Sequence, residues 1–136
     1  MWNRDHLLDR FNAAPAATDD QIEQAKSSLP EFLPSEYVQF LKNMNGGEGF
    51  IGETYSVLWD VSKIESLNLS YQTHQWAPGL LLFGSDGGGE AFGFDTRKPN
   101  WPIVRIPFVG MDWKEARPIG NSFKEFLENL FVGIPL

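Results

Sequence analysis

The chain of 136 residues carries 18 acidic and 11 basic side chains, which give a formal net charge of −7 at pH 7. This excess of negative charge disfavours direct binding to nucleic acid or to anionic membranes, and it favours a basic partner. No cysteine is present, which excludes a disulfide framework and thiolate chemistry. The hydrophobic share of 42% suffices for one core, so we expect a single domain over residues 1–136.

The N-terminal segment Met1–His6 lacks the apolar centre of a secretory signal, and no apolar run approaches the length of a membrane span. We therefore expect a cytoplasmic protein without a membrane partner.

The N-terminal part of the chain is predicted to be helical. A short helix over Arg4–Phe11, ended before Pro15, places three apolar residues on one side, namely Leu7, Leu8 and Phe11. Thr18–Gln21 has the pattern of a capping box, which predicts a second helix that stops before Pro30. The residues expected to be buried on that helix are Ile22, Ala25 and Leu29.

A third helix is predicted to begin at Pro34 or Ser35 and to end at the glycines of Asn45–Gly47. Its apolar positions follow helical spacing and comprise Tyr37, Phe40, Leu41 and Met44. We expect this apolar stripe to pack against a β-sheet.

That sheet is predicted to start with strands at Gly49–Ile51 and Tyr55–Trp59. In the second strand one face carries Tyr55, Val57 and Trp59, and the other carries Ser56 and Leu58. Ser62–Glu65 is a further capping-box pattern and predicts a helix with the buried stripe Ile64, Leu67 and Tyr71.

The glycine-rich segment Ser85–Glu90 lies between two apolar stretches and predicts a hairpin. Leu80–Phe83 precedes the glycines, and afterwards Phe92 and Phe94 alternate with Ala91 and Gly93. The two phenylalanines are expected to face the core, with Glu90 at its rim. The opposite face, with only Ala91 and Gly93, is expected to be bare enough for another backbone to approach closely, and to form a smooth acidic depression.

The C-terminal third adds a strand and a helix. Trp101–Phe108 is apolar on both parities, which predicts a strand that is covered on both sides. Ser122–Glu125 is another capping-box pattern, and the helix that follows has a clear apolar stripe of Phe123, Phe126, Leu127, Leu130 and Phe131. The elements together predict an α+β fold, with helices packed on a mostly antiparallel sheet.

Several of these segments, in this order, resemble the SUKH superfamily, which is named after a fungal cell-wall synthesis regulator, a bacterial secretion-related protein and a viral group. The segments that carry the resemblance are Leu33–Tyr37, Asn45–Gly47, Leu58–Trp59, Phe83–Glu90, Phe94–Arg97 and Ser122–Leu127, within a match over roughly residues 18–131. The resemblance implies an α+β fold with a mostly antiparallel sheet flanked by helices. It also implies a role like that of many bacterial members, which are inferred to be immunity proteins against secreted polymorphic toxins. It carries over no catalytic residue.

The chain contains short matches to cofactor-binding and catalytic motifs, but the surrounding residues do not fit those sites. Gly47–Gly52 matches the dinucleotide pattern, but it follows a predicted helix and leads into a strand, whereas a phosphate site needs a strand followed by a helix. Ser85 lacks the first glycine of a nucleophile elbow. His6 and His74 have no close companions of the kind that bind zinc. We expect no cofactor and no metal.

Three carboxylates of the central hairpin remain candidates: Asp86, Glu90 and Asp95. A calcium-binding loop that began at Asp86 would need glycine at position 91 and glutamate at position 97. The chain has Ala91 and Arg97 there, so the segment does not fit a calcium loop. A glycosidase-type pair stays open. The alternative, which we favour, is local: Asp86 stabilises its turn, Glu90 accepts hydrogen bonds from the loop, and Asp95 bonds the backbone beyond its strand.

The expected binding surface combines acids and tryptophans. Trp59 and Trp101 are predicted to be in the core, whereas two tryptophans in predicted loops are expected to be partly exposed. The predicted binding residues, which would edge a concave acidic surface, are Glu48, Glu53, Trp76, Asp86, Glu90 and Trp113.

The function predicted from the sequence is that of a non-enzymatic binding protein, an immunity protein whose acidic face blocks a basic toxin domain. The alternatives are a regulatory interaction scaffold, a sensor of a small ligand in the glycine-lined cleft, and a hydrolase that uses Glu90 with Asp86 or Asp95. The hydrolase requires a carboxylate with a raised pKa in a pocket.

Overall fold

The computed structural model describes residues 6–28 and 33–133. Within them seven β-strands form one sheet: β1 Phe11–Ala13, β2 Gly47–Ile51, β3 Thr54–Leu58, β4 Leu80–Ser85, β5 Glu90–Asp95, β6 Ile103–Pro107 and β7 Arg117–Gly120. The same residues contain five α-helices: α1 Asp19–Ser28, α2 Ser35–Asn43, α3 Ile64–Tyr71, α4 Thr73–Trp76 and α5 Phe123–Val132.

The strands lie in the sheet in the order in which they occur in the chain, and every neighbouring pair is antiparallel. The β4–β5 hairpin is at the centre, with Leu80 opposite Asp95 at one end and Ser85 opposite Ala91 at the other. The join between β3 and β4 is much shorter, since only Val57 and Leu58 have partners there. The predicted α+β fold with an antiparallel sheet is confirmed.

The main core covers the face of the sheet that carries Phe92 and Phe94, here called the front face. The ring centroid of Phe126 in α5 lies 5.2 Å from that of Phe92, and Tyr37 in α2 lies 5.2 Å from Phe94. The predicted orientation of the two phenylalanines is confirmed, as is the burial of four residues on α5: Phe123, Phe126, Leu127 and Leu130.

The opposite, back face of β4–β6 is not the bare acidic depression that the small residues suggested. Ala91 is fully buried in a second apolar cluster, whose other buried members are Ala77, Leu80, Leu82, Val104, Ile106 and Met111. At Gly93 the side chains of Leu80 and Leu82 occupy the space that a Cβ would need. The prediction was wrong because apolar side chains from the neighbouring strands β4 and β6, and Met111, cover the small residues of β5.

One predicted capping box, at Thr18, forms in full, and the box predicted at Ser122 forms in part, since Glu125 accepts from the Asn121 N–H instead of the Ser122 N–H. Thr18 and Gln21 exchange backbone and side-chain hydrogen bonds at the start of α1. Ser122 accepts from the backbone N–H of Glu125 at 3.1 Å, which fixes the start of α5. Both pairs satisfy N–H groups that a helix start leaves without an intrahelical partner.

The capping box predicted at Ser62 does not form. Asp60 instead accepts from the Ser62 backbone N–H at 2.8 Å and opens a 3₁₀ turn, Val61–Lys63, ahead of α3. On α3, Ile64 is buried as predicted, but Leu67 is half-buried and Tyr71 is 40% exposed.

The short helix predicted for Arg4–Phe11 is also wrong within the described residues. Residues 7–10 form a turn, and Phe11 begins the edge strand β1, where it pairs with Gly49. Leu7, Leu8 and Phe11 are nevertheless buried. Their apolar pattern thus correctly indicated burial but not helical structure. Arg4, and Leu29 of the second predicted helix, lie outside the described residues.

Candidate protein-binding surface

The back face of the sheet carries exposed side chains at β2 and β3, beyond the second apolar cluster. Alternation along these strands buries Ile51 and Leu58 on the front, which leaves Phe50 and Tyr55 facing outward. Their side chains are 40% and 37% exposed. The face of Tyr55, Val57 and Trp59 predicted from the sequence is thus the outer one.

Phe50 and Tyr55 sit directly opposite each other in the β2–β3 ladder. Their ring centroids are 5.3 Å apart and the planes meet at 82°, the edge-to-face arrangement that aromatic pairs prefer. The Arg10 guanidinium lies 4.9 Å from the centre of the Phe50 ring on the outside. The two rings therefore have packing partners although they are exposed.

Glu48 is attached to this pair. Its carboxylate accepts a hydrogen bond from the Tyr55 hydroxyl across the strand diagonal. This hydrogen bond, more than desolvation or the nearby charge, raises the pKa of Tyr55 above its ordinary value. Glu48 thus presents negative charge at a fixed position beside an exposed aromatic surface.

The glycine turn of the central hairpin packs against the same ring. A Cβ added at Gly87, where φ is +80°, would lie 3.0 Å from the Tyr55 ring. Asp86 holds the turn, because its Oδ1 accepts from the backbone N–H of Gly88 at 2.8 Å and of Glu90 at 3.2 Å. The local role predicted for Asp86 is confirmed, because its carboxylate is used within the turn itself.

Glu53 occupies the β2–β3 turn at the end of helix α5. Its backbone N–H donates to the carbonyl of Phe131 at 3.0 Å, and its side chain lies against Gly133 just beyond the helix. The carboxylate is exposed. We call the group of Glu48, Phe50 and Tyr55 the acidic–aromatic surface; Glu53 and Asp86 are further acids at the same end of the sheet.

Glu90 belongs to the front face rather than to this surface. Its side chain has the same parity as Phe92, and its Oε1 lies 3.7 Å from Nε of Arg105, whose side chain is buried. A buried guanidinium beside it offsets much of the Glu90 charge.

The two predicted tryptophans, Trp76 and Trp113, lie at the opposite end of the sheet. The length of β4, from Leu80 to Ser85, separates the two ends, which corresponds to about 17 Å. Trp113 donates its indole N–H to the carbonyl of Pro78 at 2.8 Å, and the Arg97 guanidinium lies 3.6 Å from its ring centre. Trp76 is 52% exposed. The structure therefore gathers Glu48, Glu53 and Asp86 at one end of the sheet and separates them from Trp76 and Trp113.

Three further aromatic residues extend the exposed apolar area along the back. Trp59 stacks on Tyr71 with 6.2 Å between ring centroids, and Tyr71 contacts Phe108 at 4.6 Å. Trp59 and Phe108 are half-buried rather than core residues. Sequence reasoning missed Phe50, Tyr55 and Tyr71 as surface candidates, although the alternation that buries Ser56 and Leu58 implies an outward Tyr55.

The third candidate carboxylate, Asp95, is committed to an ion pair. Burial by itself raises the pKa of Asp95, but hydrogen bonds from Arg97 and the charges of Arg97 and Lys98 outweigh it and lower the pKa below its ordinary value. Arg97 binds both oxygens of the carboxylate, at 2.9 and 3.1 Å, and also donates its backbone N–H. An ionised, paired carboxylate is the opposite of what a general acid requires.

Within residues 6–28 and 33–133, no cluster of three or more histidine, aspartate or glutamate side chains could hold a metal ion. The same residues include no helix with the length and apolar character needed to span a bilayer.

A meandering antiparallel sheet with helices on its front face defines a domain of the α+β class. The family model of the SMI1 / KNR4 family (SUKH-1) matches residues 16–129, and the chain belongs to this family. No curated protein matches the chain.

Proposed function

We propose that the chain is a non-enzymatic binding protein of the immunity type, which neutralises a basic toxin domain by direct contact. The observation that carries the proposal is the exposed Phe50–Tyr55 pair, held by its own strand pairing and bordered by the carboxylate of Glu48. Membership of the SUKH-1 family supports the immunity role, since many bacterial members are assigned to it.

The mechanism is occlusion of the toxin's active groove. A nuclease needs a basic groove for phosphates, so an inhibitor with a net charge of −7 associates with it quickly through long-range attraction. The charges of Glu48, Glu53 and Asp86, at the same end of the sheet, guide the encounter. The aromatic pair then supplies the desolvated contact that slows dissociation, as aromatic anchors do in protein interfaces.

The proposal is tested by binding kinetics against the toxin domain encoded next to this gene, at several salt concentrations. The double variant Glu48→Lys/Glu53→Lys should associate more slowly and with a weaker salt dependence. Its control is Glu23→Lys/Glu128→Lys, which makes the same change of net charge with two exposed acids on α1 and α5. Equal association rates for the two double variants would contradict a role for this surface.

Tyr55→Ala tests the anchor separately. We expect dissociation about tenfold faster, which corresponds to about 1.4 kcal/mol. Leu69→Ala is the matched control, because Leu69 is 62% exposed but lies on α3. If Trp76→Ala or Trp113→Ala accelerates dissociation and Tyr55→Ala does not, the interface lies at the tryptophan end of the sheet.

A further inference from the structure

A cleft of about 620 Å³ opens on the front of the molecule, between the first turns of α2 and α5 and the loop that joins β5 to β6. Its aromatic wall includes Trp101 and Phe94, whose ring centroids are 5.8 Å apart. The volume falls in the range of about 300–1,000 Å³ that is usual for ligand sites. The acidic–aromatic surface lies on the other face of the sheet.

The lining of the cleft is polar but almost uncharged, although the protein as a whole is acidic. It contains the side-chain amides of Gln39, Asn100 and Asn121, and no lysine or arginine among the described residues. The carboxylate that lines it, Glu36, already accepts the backbone N–H of Lys124 at 3.0 Å. Each primary amide offers donors and an acceptor, so the lining suits an uncharged ligand with hydrogen-bonding groups.

The loop that carries the aromatic wall is strained. Asn100 and Trp101 have φ values of +63° and +47°, a left-handed conformation that is unfavourable for a tryptophan. The strain at Trp101 is greater because the residue before a proline prefers an extended backbone. Strained positions of this kind concentrate at binding sites. Here the conformation leaves the Trp101 ring only partly buried, at the edge of the cleft.

We propose that this cleft binds an extended, proline-containing segment of a partner protein. A polyproline II segment makes no internal hydrogen bonds, so its carbonyl groups are free to accept from the amides of Gln39, Asn100 and Asn121. Its proline rings pack on aromatic walls such as that of Trp101, and its preformed shape loses little conformational freedom on binding. A helical segment would leave the amides unmatched, because its own backbone groups are already paired.

The direct test uses the wild-type chain and two ten-residue peptides, decaproline and a Gly-Ser repeat of the same length. Titration with decaproline, followed by ¹H–¹⁵N NMR, should shift the side-chain amide signals of Gln39, Asn100 and Asn121 and the indole signal of Trp101. The indole signal of Trp76, which is exposed elsewhere, should not move. The Gly-Ser peptide should cause no saturable shift.

Two variants complete the test. Trp101→Ala should weaken decaproline binding at least tenfold, whereas Trp76→Ala should leave it unchanged. Gln39→Ala, at an exposed position, should weaken binding severalfold without disturbing the fold. The proposal is overturned by equal shifts with both peptides, by shifts confined to Phe50 and Tyr55, or by no shift at millimolar decaproline. The surface proposed for the toxin lies on the other face, so either proposal can fail while the other stands.

Discussion

Asn68 of helix α3 pairs with the backbone of Leu82 as a neighbouring strand would. Its side-chain nitrogen donates to the Leu82 carbonyl at 2.9 Å, and its side-chain oxygen accepts from the Leu82 N–H at 2.8 Å. Strand β3 has already left the sheet at this level, since its last partner on β4 is Gly84. One buried amide therefore satisfies two backbone groups that would otherwise lie buried without partners.

Asn68→Ala should lower the free energy of unfolding by about 3 kcal/mol, because both the N–H and the carbonyl of Leu82 lose their partners in a buried site. Urea unfolding measures this, with Ser70→Ala at an exposed position of the same helix as the control. A loss no larger than that of the control would show that water replaces the amide.

Phe126→Ala should destabilise the fold by about 3 kcal/mol, because it leaves a cavity between α5 and the sheet. Phe126 is fully buried and contacts Phe83 and Phe92, with centroid distances of 5.3 and 5.2 Å. Val132→Ala on the same helix, where the side chain is 73% exposed, should cost under about 0.5 kcal/mol. A cost below about 1 kcal/mol for Phe126→Ala would contradict the packing.

Asp95 should make stability depend on acid pH. Its folded-state pKa is lowered by Arg97 despite the opposing effect of burial, so its contribution is full above the unfolded value of 3.8 and is lost as pH falls through the folded value. Urea unfolding between pH 2 and pH 6 should therefore show a shallower slope for Asp95→Asn than for the wild type. Asp60 contributes to the pH dependence that remains in Asp95→Asn. Desolvation raises the pKa of Asp60, but hydrogen bonds from Ser62 and Asn45 outweigh it and lower the pKa. Superimposable pH profiles would refute the Asp95–Arg97 pair.

The hydrogen bond between Tyr55 and Glu48 can be seen in solution by the titration of the phenol. Because this bond raises the pKa of Tyr55, Glu48→Gln should bring the pKa back towards its ordinary value. NMR of ¹³Cζ-labelled tyrosine follows the Tyr55 signal in the wild type and in Glu48→Gln. An unchanged Tyr55 titration would mean that Glu48 is not held at the aromatic pair.

Glu53→Lys should stabilise the protein by about 0.5 kcal/mol while it slows toxin association. Glu53 lies at the C-terminal end of α5, where the partial negative charge of the helix disfavours a carboxylate and favours a cation. Thermal unfolding at low ionic strength measures the gain, which 1 M salt should abolish. A destabilised variant would show that Glu53 makes favourable contacts that the backbone geometry does not reveal.

The sequence was most informative where a local pattern decides the structure. The alternation around Phe92 and the spacing after Ser122 predicted the hairpin and α5, because strand and helix periodicities report directly which side is buried. The resemblance to the SUKH superfamily agreed with the matched family.

Predictions failed where distant segments decide. Tyr71 was expected to be buried with Ile64, but α3 is turned by the bonds between Asn68 and Leu82, so a polar residue takes the inner position. The sequence around Ser62 allows either Ser62 or Asp60 to cap the helix start. Only the three-dimensional path of the chain shows that Asp60 is the cap. The Phe50–Tyr55 pair required the β2–β3 register, which strand predictions do not fix to the residue.

The narrow join between β3 and β4 has a consequence for motion. Two ladder positions, and the bond from the Trp59 N–H to the Phe83 carbonyl at 2.9 Å, connect the three-stranded plate β1–β3 to the four-stranded plate β4–β7. We therefore expect backbone hydrogen bonds at this seam to open before those of the longer ladders in the sheet. Tyr55 lies on one plate and Gly87 on the other. A partner that covers both would hold the seam closed, and amide exchange at Val57, Leu58 and Trp59 would slow when it binds.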